Sequence, residues 1–333
     1  MTMTDPLLSV RSLSIGVTRG STDPTLIVED VSFDISKGER FGIVGESGSG
    51  KSLTLRAIGD LLPRGVEVLA GSIRYNGTEL VGMPRSSRRK LMGPEIAMIF
   101  QEPMTALNPV VRVGEQIAEG PRRYLGMTRA ESMARAIEMM AKTGIPDPVR
   151  RARAYPHELS GGLRQRIMIA MALSCDPRLL LCDEPTTALD VTVQHQVLRL
   201  LEDLCDDSGA ALAFVTHDLA VVNQTCTDLA VMYSGHIVES GTVREVLSDP
   251  RHPYTQGLLD SAPDFDRPER PLIPIPGFPP NVASRPSGCP FAPRCPFVVE
   301  ACRTAMPPMV TVAPGHGAAC IEADRISREL VAR

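Results

Sequence analysis

The sequence lacks a run of about 18 apolar residues, the length that a transmembrane helix needs, so we expect no membrane span. It also lacks a secretory signal, because residues 1–17 include Asp5 and Arg11 and hold no apolar core ahead of a small-residue cleavage site. These absences predict a cytosolic chain. In that compartment cysteines are more often free thiols or metal ligands than disulfides.

An excess of positive charge is missing too. The 333 residues contain 35 lysines and arginines against 39 aspartates and glutamates, a formal net charge of −4. This balance argues against nucleic acid as the main partner. With 43% hydrophobic and 22% charged residues the composition is that of a globular protein, and the length suggests roughly two domains.

The composition changes near residue 250. Fifteen of the 29 prolines and four of the eight cysteines lie in residues 251–333. Before this point, the apolar stretches 41–44, 179–182 and 211–216 predict buried strands. Helix-compatible stretches alternate with them, and this alternation predicts a parallel sheet covered by helices.

Two further segments are predicted to be helical. Residues 104–158 are polar and carry glycine and proline breaks, which indicates a small helical insert. A second helix is expected to end at Gly209. Its apolar face has the i, i+3, i+4, i+7 spacing. The residues of that face are Val197, Leu200, Leu201 and Leu204.

Residues 45–52 read Gly-Glu-Ser-Gly-Ser-Gly-Lys-Ser and match the phosphate-loop pattern G-x-x-x-x-G-K-S/T between a predicted strand and a predicted helix. Glycines let the backbone N–H groups converge on phosphate oxygens, and the helix N-terminus adds a favourable partial charge. Lys51 can reach the β- and γ-phosphates, and the Ser52 hydroxyl can bind Mg²⁺. The spacing and context disfavour the alternative, a glycine-rich turn with a surface lysine. The candidate ATP-binding residues of this loop are Gly45, Glu46, Ser47, Gly48, Ser49, Gly50, Lys51 and Ser52.

Three polar residues follow predicted strands. Asp183 and Glu184 end the stretch that begins at residue 179, where Asp183 could hold Mg²⁺ through water and Glu184 could activate the attacking water. His217 comes directly after residues 211–216 and could donate to a γ-phosphate oxygen. Taken alone, these residues also fit an acidic turn and a capping or core histidine.

A second anion site is predicted before the apolar helical run 167–173. Ser160 can cap that helix, while Gly161 and Gly162 leave its first N–H groups uncovered. The alternative is an ordinary serine-capped helix.

The order of these motifs resembles that of the ABC-type ATPases over roughly residues 7–262. The resemblance implies an α/β P-loop NTPase (RecA-like) core with an antiparallel β subdomain and a helical insert at about 104–158. It also implies two such domains stacked head to tail around two ATP molecules. The motifs that carry it are the phosphate loop, Gln101, Leu159-Ser160-Gly161-Gly162, Asp183-Glu184, Ala188-Leu189-Asp190 and His217.

The resemblance assigns a role to each motif. It implies that Lys51 and Ser52 bind ATP and Mg²⁺. Gln101 senses the γ-phosphate and, with Ser52 and Asp183, belongs to the magnesium site. The catalytic residues are Glu184, the general base, and His217, the γ-phosphate switch. Ser160, Gly161 and Gly162 cap the partner's ATP in trans, and Asp190 lies at the dimer interface.

Two positions depart from the family pattern. Leu163 stands where the signature commonly has glutamine, as apolar residues do in the peptide-import branch, so we expect hydrolysis to persist. The aromatic residue that stacks on adenine is missing. Val17 is the nearest aligned position, and no aromatic residue precedes Phe33.

Four stretches resemble the ATPase subunits of oligopeptide and dipeptide importers: 100–109, 159–173, 252–259 and 288–297. The resemblance now covers nearly the whole chain, including a Cys/Pro-rich C-terminal extension at 263–333. It implies an ATPase that powers peptide import by ATP-driven dimer closure on permease subunits. Nickel importers share much of the pattern and remain an alternative. A soluble non-transport ABC ATPase is disfavoured by the single motif set and the charge of −4.

The importer resemblance also implies partners. These are a paralogous ABC ATPase subunit in a heterodimer, two transmembrane permease subunits and, indirectly, an extracytoplasmic peptide-binding protein, with no nucleic acid. A closed homodimer stays open as an alternative. The expected location is the cytoplasmic face of the cell membrane, reached through the permease.

Four cysteines of the extension form a candidate metal site. An extension this poor in periodic apolar residues needs a staple, which four thiolates can supply. The resemblance implies a 4Fe–4S cluster. Zinc is an alternative, although its sites usually have tighter spacing, and free or disulfide-forming thiols are another. The candidate ligands are Cys289, Cys295, Cys302 and Cys320, whereas Cys175, Cys182, Cys205 and Cys226 are expected in the core.

Overall fold

The computed structural model describes residues 5–18, 24–186, 190–262 and 271–331. The chain forms two compact units. Unit 1 comprises residues 1–35, 40–81 and 215–333, and unit 2 comprises residues 36–39 and 82–214. The predicted boundary between ATPase domain and extension, at residue 263, lies outside the described residues and stays a prediction.

Strands and helices alternate along most of the described chain. The strands are β1 (Leu8–Val17), β2 (Thr25–Ile35), β3 (Arg40–Val44), β4 (Val66–Tyr75), β5 (Thr78–Glu79), β6 (Ile96–Ile99), β7 (Leu179–Asp183), β8 (Ala211–Thr216), β9 (Asp228–Tyr233), β10 (His236–Thr242), β11 (Val310–Ala313) and β12 (His316–Ala318). The helices are α1 (Lys51–Ile58), α2 (Arg85–Arg88), α3 (Pro103–Ala106), α4 (Val113–Tyr124), α5 (Arg129–Lys142), α6 (Pro148–Arg151), α7 (Gly161–Leu173), α8 (Val191–Ser208), α9 (Leu219–Thr225), α10 (Val243–Ser248), α11 (Pro253–Ser261), α12 (Glu300–Thr304) and α13 (Ala323–Val331).

Unit 1 contains an antiparallel sheet with the strand order β2-β1-β4-β5. In β2 the buried residues Val31, Phe33 and Ile35 alternate with exposed ones, which is the pattern of a strand with one face on a core. This sheet is the antiparallel β subdomain that the family resemblance implies.

A second set of strands in unit 1 runs in the order β11-β12-β10-β9-β3. β3 pairs with β9 in parallel, and the C-terminal strands β11 and β12 continue the sheet in antiparallel pairing from β10. Ala319 donates its N–H to the Val238 carbonyl, 2.8 Å away. The C-terminal extension is therefore part of the unit 1 sheet.

Unit 2 contains β7 and β6, which pair in parallel, with β8 on the other side of β7. Every residue of β7 is buried, as expected for a strand covered on both faces. The strands predicted at 41–44, 179–182 and 211–216 are confirmed as β3, β7 and β8.

α8 ends at Gly209, whose φ of 67° is the left-handed conformation of a helix C-cap, as predicted. Its predicted apolar face is partly wrong. Val197 and Leu201 are buried, but Leu200 and Leu204 are only half-buried. Leu198 and Cys205 are buried in their place. The 3.6-residue period puts these two beside Leu201, so the buried face is rotated from the predicted one.

The segment 104–158 contains α3, α4, α5, α6 and a 3₁₀ turn at Pro156–Glu158. α4 and α5 contact each other and also α7, and both carry buried residues such as Ile117 and Met140. The segment is thus helical, while its limits as a subdomain stay a prediction. None of the helices in the described stretches is long and apolar enough to cross a bilayer.

Candidate functional site

The phosphate loop joins the end of β3 to the start of α1. Two of its glycines are required by the fold. A Cβ on Gly45 would overlap the Met232 carbonyl oxygen, and one on Gly50 would lie 2.8 Å from Met232 Cε and 2.9 Å from Val28 Cγ2. Gly50 also has a φ of 105°, which L side chains rarely adopt. The loop therefore packs against the backbone of β9 at Gly45 and against side chains of β9 and β2 at Gly50.

Lys51 points into its own loop. Its Nζ donates to the carbonyl oxygens of Gly45 at 2.8 Å and Glu46 at 3.0 Å, and the residue is 4% exposed. This places the ammonium charge at the N-terminus of α1, where the helix dipole also favours an anion. The geometry is that of a phosphate-binding loop.

Glu46 is held by three groups. Its N–H donates to the Tyr254 hydroxyl at 2.7 Å, and its carbonyl accepts from Lys51. Its carboxylate accepts from Arg294 Nη1 at 2.7 Å and Nη2 at 3.0 Å. The sequence analysis did not single out Tyr254 or Arg294, although both lie in stretches that carry the importer resemblance.

An aromatic cluster surrounds these contacts. The ring centroid of Tyr233 lies 4.5 Å from that of Tyr254 and 5.2 Å from that of Phe291. Burial raises the pKa of the Tyr254 hydroxyl, which keeps it neutral. Burial by itself would lower the pKa of Arg294, but hydrogen bonds to Glu46 and Tyr233 outweigh it and raise that pKa. Arg294 is therefore a fixed charge beside the loop.

In unit 2, the residues after β6 and β7 meet. Gln101 Nε2 donates to Glu184 Oε2 at 3.2 Å, and Asp183, the last residue of β7, is 1% exposed. Glu184 has a φ of 47°, an uncommon left-handed backbone for a non-glycine residue. The catalytic role of Glu184 and the magnesium roles of Gln101 and Asp183 stay predictions.

The signature segment begins α7. Ser160 occupies the N-cap position, but its side chain makes no capping hydrogen bond, so the predicted serine cap is wrong. The first turn is open at Gly161, which is exposed and where an added Cβ would meet nothing within 4 Å, whereas a Cβ on the half-buried Gly162 would lie 3.0 Å from Val193 Cγ1. Gln165 donates to the Pro185 carbonyl, which ties this helix to the turn after Glu184.

His217 and Asp190 are the remaining predicted site residues that the structure describes. His217 follows β8 directly, as the sequence predicts. Asp190 caps α8, because its side chain accepts from the Val193 N–H at 3.0 Å. Ala188 and Leu189 lie outside the described residues. Contacts of His217 with a γ-phosphate, of Ser160 and Gly162 with a partner's ATP, and of Asp190 with a dimer partner stay predictions.

The four cysteines of the extension line one small cavity together with Phe291 and Phe297. Burial is the main cause that raises the pKa of Cys295 to about 11 and that of Cys320 to about 12, with a further rise from neighbouring thiols. The donor set suits a metal centre that prefers sulfur. Among the described residues, however, no three His, Cys, Asp or Glu side chains are arranged to hold a metal ion. The structure thus does not support the predicted metal site.

The other cysteines behave as expected. Cys175, Cys182, Cys205 and Cys226 are all buried, at 7%, 0%, 2% and 9% exposure, and act as small core residues.

Two family models match the chain. The first, ABC transporter, matches residues 28–187. The second, oligopeptide/dipeptide transporter, C-terminal region, matches residues 238–302. The first covers the phosphate loop and the Gln101–Glu184 pair, and the second covers Tyr254 and Arg294.

Curated relatives match over nearly the full length. A putative peptide import ATP-binding protein of Brucella melitensis is 48% identical, over 97% of this chain and 98% of that protein. The oligopeptide transport ATP-binding protein OppD of Escherichia coli is 45% identical, over 96% of this chain and 94% of that protein.

Solved structures show the same fold. The dimeric post-hydrolysis state of the ATP-binding cassette MJ0796, bound to ADP and Pi, superposes with a TM-score of 0.63 at 26% identity, over 71% of this chain and 99% of that chain. The cbiO1 subunit of the Clostridium perfringens transporter complex cbiONQ superposes with a TM-score of 0.62 at 24% identity, over 74% of this chain and 92% of that chain. The predicted P-loop NTPase fold is confirmed.

Proposed function

The chain belongs to the ABC transporter family, in its oligopeptide/dipeptide branch, and we propose that it is the ATP-binding and ATP-hydrolysing subunit of a peptide importer. The observation that carries this proposal is the match of one chain to both family regions, with 45% identity to an oligopeptide transport ATP-binding protein. The phosphate loop and the Gln101–Glu184 pair supply the chemistry.

In the proposed mechanism the ATP triphosphate enters the phosphate loop. Its oxygens replace the carbonyls of Gly45 and Glu46 as acceptors for Lys51, and the loop N–H groups complete the cradle. Glu184 takes a proton from the attacking water, and Gln101 orients that carboxylate. The products are ADP and phosphate.

Magnesium fits the residues proposed to hold it. Ser52, Gln101 and Asp183 provide hydroxyl, amide and carboxylate oxygens, the donors that Mg²⁺ prefers. The ion would neutralise charge on the phosphates. His217 is proposed to contact the γ-phosphate.

The active form is proposed to be a closed dimer with a paralogous ATPase subunit on two permease subunits at the cytoplasmic face of the membrane. The exposure of Ser160 and Gly161 at the start of α7 supports their role in capping the partner's ATP, and Gly162 is proposed to act with them. Asp190 is proposed to lie at that dimer interface.

Co-purification and hydrolysis test the proposal together. The chain is expressed with its neighbouring permease and ATPase subunits, the membranes are solubilised, and phosphate release is measured with and without peptide and its binding protein. We expect a stable complex with peptide-stimulated ATPase activity. Absence of any permease partner would exclude the importer role, and stimulation by Ni²⁺ alone would replace peptide with nickel.

A 4Fe–4S cluster on Cys289, Cys295, Cys302 and Cys320, with zinc as the alternative, is a separate proposal that rests on the family resemblance and on the shared cavity. Such a group would staple the extension. Because metal ligands must be deprotonated, binding of such a group would release the thiol protons and would depend on pH. Iron, sulfide and zinc contents of anaerobically purified protein test it, and loss of iron in Cys289→Ser is expected. Protein with neither metal would reject both centres.

A further inference from the structure

The C-terminal extension reaches the phosphate loop through one side chain. Arg294 closes the 3₁₀ turn Ala292–Arg294, and its side chain is 4% exposed. Its two terminal nitrogens bind the two carboxylate oxygens of Glu46. We infer that Arg294 is a positioning residue for nucleotide binding, which holds and neutralises Glu46 so that the loop accepts the triphosphate. This inference rests on the proposed ATP-binding role.

Position is the first reason. Glu46 follows Gly45 at the point where the chain leaves β3, and its carbonyl is one of the two acceptors that orient Lys51. Arg294 fixes its carboxylate while Tyr254 fixes its N–H. With its N–H and its carboxylate both held from outside the loop, Glu46 keeps the backbone of the loop, including the start of α1 at Lys51, in one conformation before the triphosphate arrives.

Charge is the second reason. Glu46 places a carboxylate in a loop that must receive a polyanion, and like charges at short range repel. The bidentate guanidinium cancels this charge, and it is buried enough to be little screened by salt. Without Arg294, the remaining carboxylate would oppose the triphosphate.

The third reason is that Arg294 is itself fixed. Its Nε donates to the Pro276 carbonyl at 2.8 Å, and Nη1 also donates to the Tyr233 hydroxyl at 3.2 Å. The turn that carries it is closed by hydrogen bonds from the Ala292 N–H to the Cys289 carbonyl and from the Arg294 N–H to the Phe291 carbonyl. The turn formed by residues 289–294 therefore fixes the position of the Arg294 guanidinium, and the guanidinium in turn balances the charge of Glu46.

The test is the dissociation constant of Mg-ATP for the full-length chain, measured by calorimetry beside thermal unfolding. Arg294→Gln is expected to weaken binding about tenfold, the scale of a lost charge-assisted hydrogen-bond pair. Adding Glu46→Gln to it is expected to restore most of the affinity, because the unpaired carboxylate is gone while the Tyr254 hydroxyl still binds the N–H of residue 46. Arg294→Lys keeps the positive charge but cannot form the bidentate hydrogen bonds, so its dissociation constant for Mg-ATP should lie between those of wild type and Arg294→Gln.

Arg251→Gln is the matched control. Arg251 is 15% exposed and forms ion pairs with Asp249 at 2.6 Å and with Asp324 at 3.6 Å. Its replacement therefore removes ion pairs from unit 1 but leaves the contacts of Glu46 in place. We expect its ATP affinity to stay at the wild-type value. A merely structural role for Arg294 would make the double variant bind no better than Arg294→Gln, and that result overturns the inference.

Failure of the inference can be told from failure of the proposed function. If the wild-type chain binds ATP and Lys51→Ala binds it far more weakly, the phosphate loop is functional. If a folded Arg294→Gln variant then binds Mg-ATP as tightly as wild type, the positioning role of Arg294 is wrong while the ATP-binding role stands. If the folded wild-type chain binds no ATP, the ATP-binding role fails, and the positioning role fails with it.

Discussion

Gln101 and Glu184 are 83 residues apart in the sequence, yet the Gln101 amide nitrogen lies 3.2 Å from a Glu184 carboxylate oxygen. The parallel pairing of β6 and β7 explains this, since the carboxyl ends of parallel strands share one edge of a sheet. The bond orients the proposed base through a residue on the neighbouring strand. The proposed γ-phosphate sensor after β6 and the proposed base after β7 are thereby linked.

Replacing Glu184 with Gln should stop hydrolysis but spare ATP binding. A general base contributes about 10²–10⁴-fold, so we expect phosphate release in the assembled transporter to fall by roughly 100-fold or more. Mg-ATP affinity should change little and the dimer should remain closed. Glu102→Gln, at an exposed carboxylate near Gln101, serves as the control and should keep the wild-type rate. Normal hydrolysis by Glu184→Gln would remove it as the base.

Lys51→Ala should strongly weaken ATP binding. The ammonium group is 4% exposed and is centred on the loop, so its loss removes charge-assisted hydrogen bonds to phosphate, worth roughly 10- to 100-fold in affinity or more. Lys37→Ala removes an exposed lysine of the same charge and should bind normally. Equilibrium binding of a fluorescent ATP analogue distinguishes the two. If both variants bound ATP equally well, the nucleotide would not bind at the phosphate loop.

Gly45→Ala should destabilise unit 1, because the new Cβ would overlap the Met232 carbonyl. Forcing β3 and β9 apart is expected to cost about 2 kcal/mol or more, a shift in melting temperature of several degrees. Gly161→Ala adds the same atom in open space and should melt like wild type. Scanning calorimetry of the full chain compares them, and equal melting temperatures would contradict the packing described for the loop.

These predictions differ in how far the sequence alone supports them. The phosphate loop and the Asp183–Glu184 strand end are local motifs, whose spacing encodes their geometry. The strands β3, β7 and β8 are short apolar runs and were predictable for the same reason. The contacts of Glu46 with Tyr254 and Arg294 span 208 and 248 residues, and no local pattern encodes them.

Two errors have physical causes. The buried face of α8 includes Leu198 and Cys205. Apolar spacing in the sequence allows more than one buried face, and the packing of α8 against the rest of the fold decides which one is buried. Ser160 stands at an N-cap without making the capping bond, because a residue type favoured at a position does not fix its rotamer.

Glu79 should give unit 1 an acid-sensitive contact. Burial by itself would raise its pKa, but hydrogen bonds from Ser72 and from the backbone of Val81 and Ile73 outweigh it and lower that pKa. A carboxylate with a lowered folded pKa stabilises above its unfolded pKa and loses this effect as the pH falls through the folded value. Glu79→Gln should therefore unfold more easily than wild type at pH 7, and the difference should shrink below about pH 4. Urea unfolding across pH checks this, and a constant difference would contradict it.

ATP-dependent peptide uptake tests the central claim most directly. The chain is reconstituted in vesicles with the paralogous ATPase and the two permease subunits proposed as its partners. Mg-ATP is placed on the side of the ATPases, and labelled peptide with its binding protein on the other. The account predicts that peptide crosses to the ATP side and that Glu184→Gln in this chain prevents it. Uptake that proceeds equally with Glu184→Gln, or without ATP, would contradict the account.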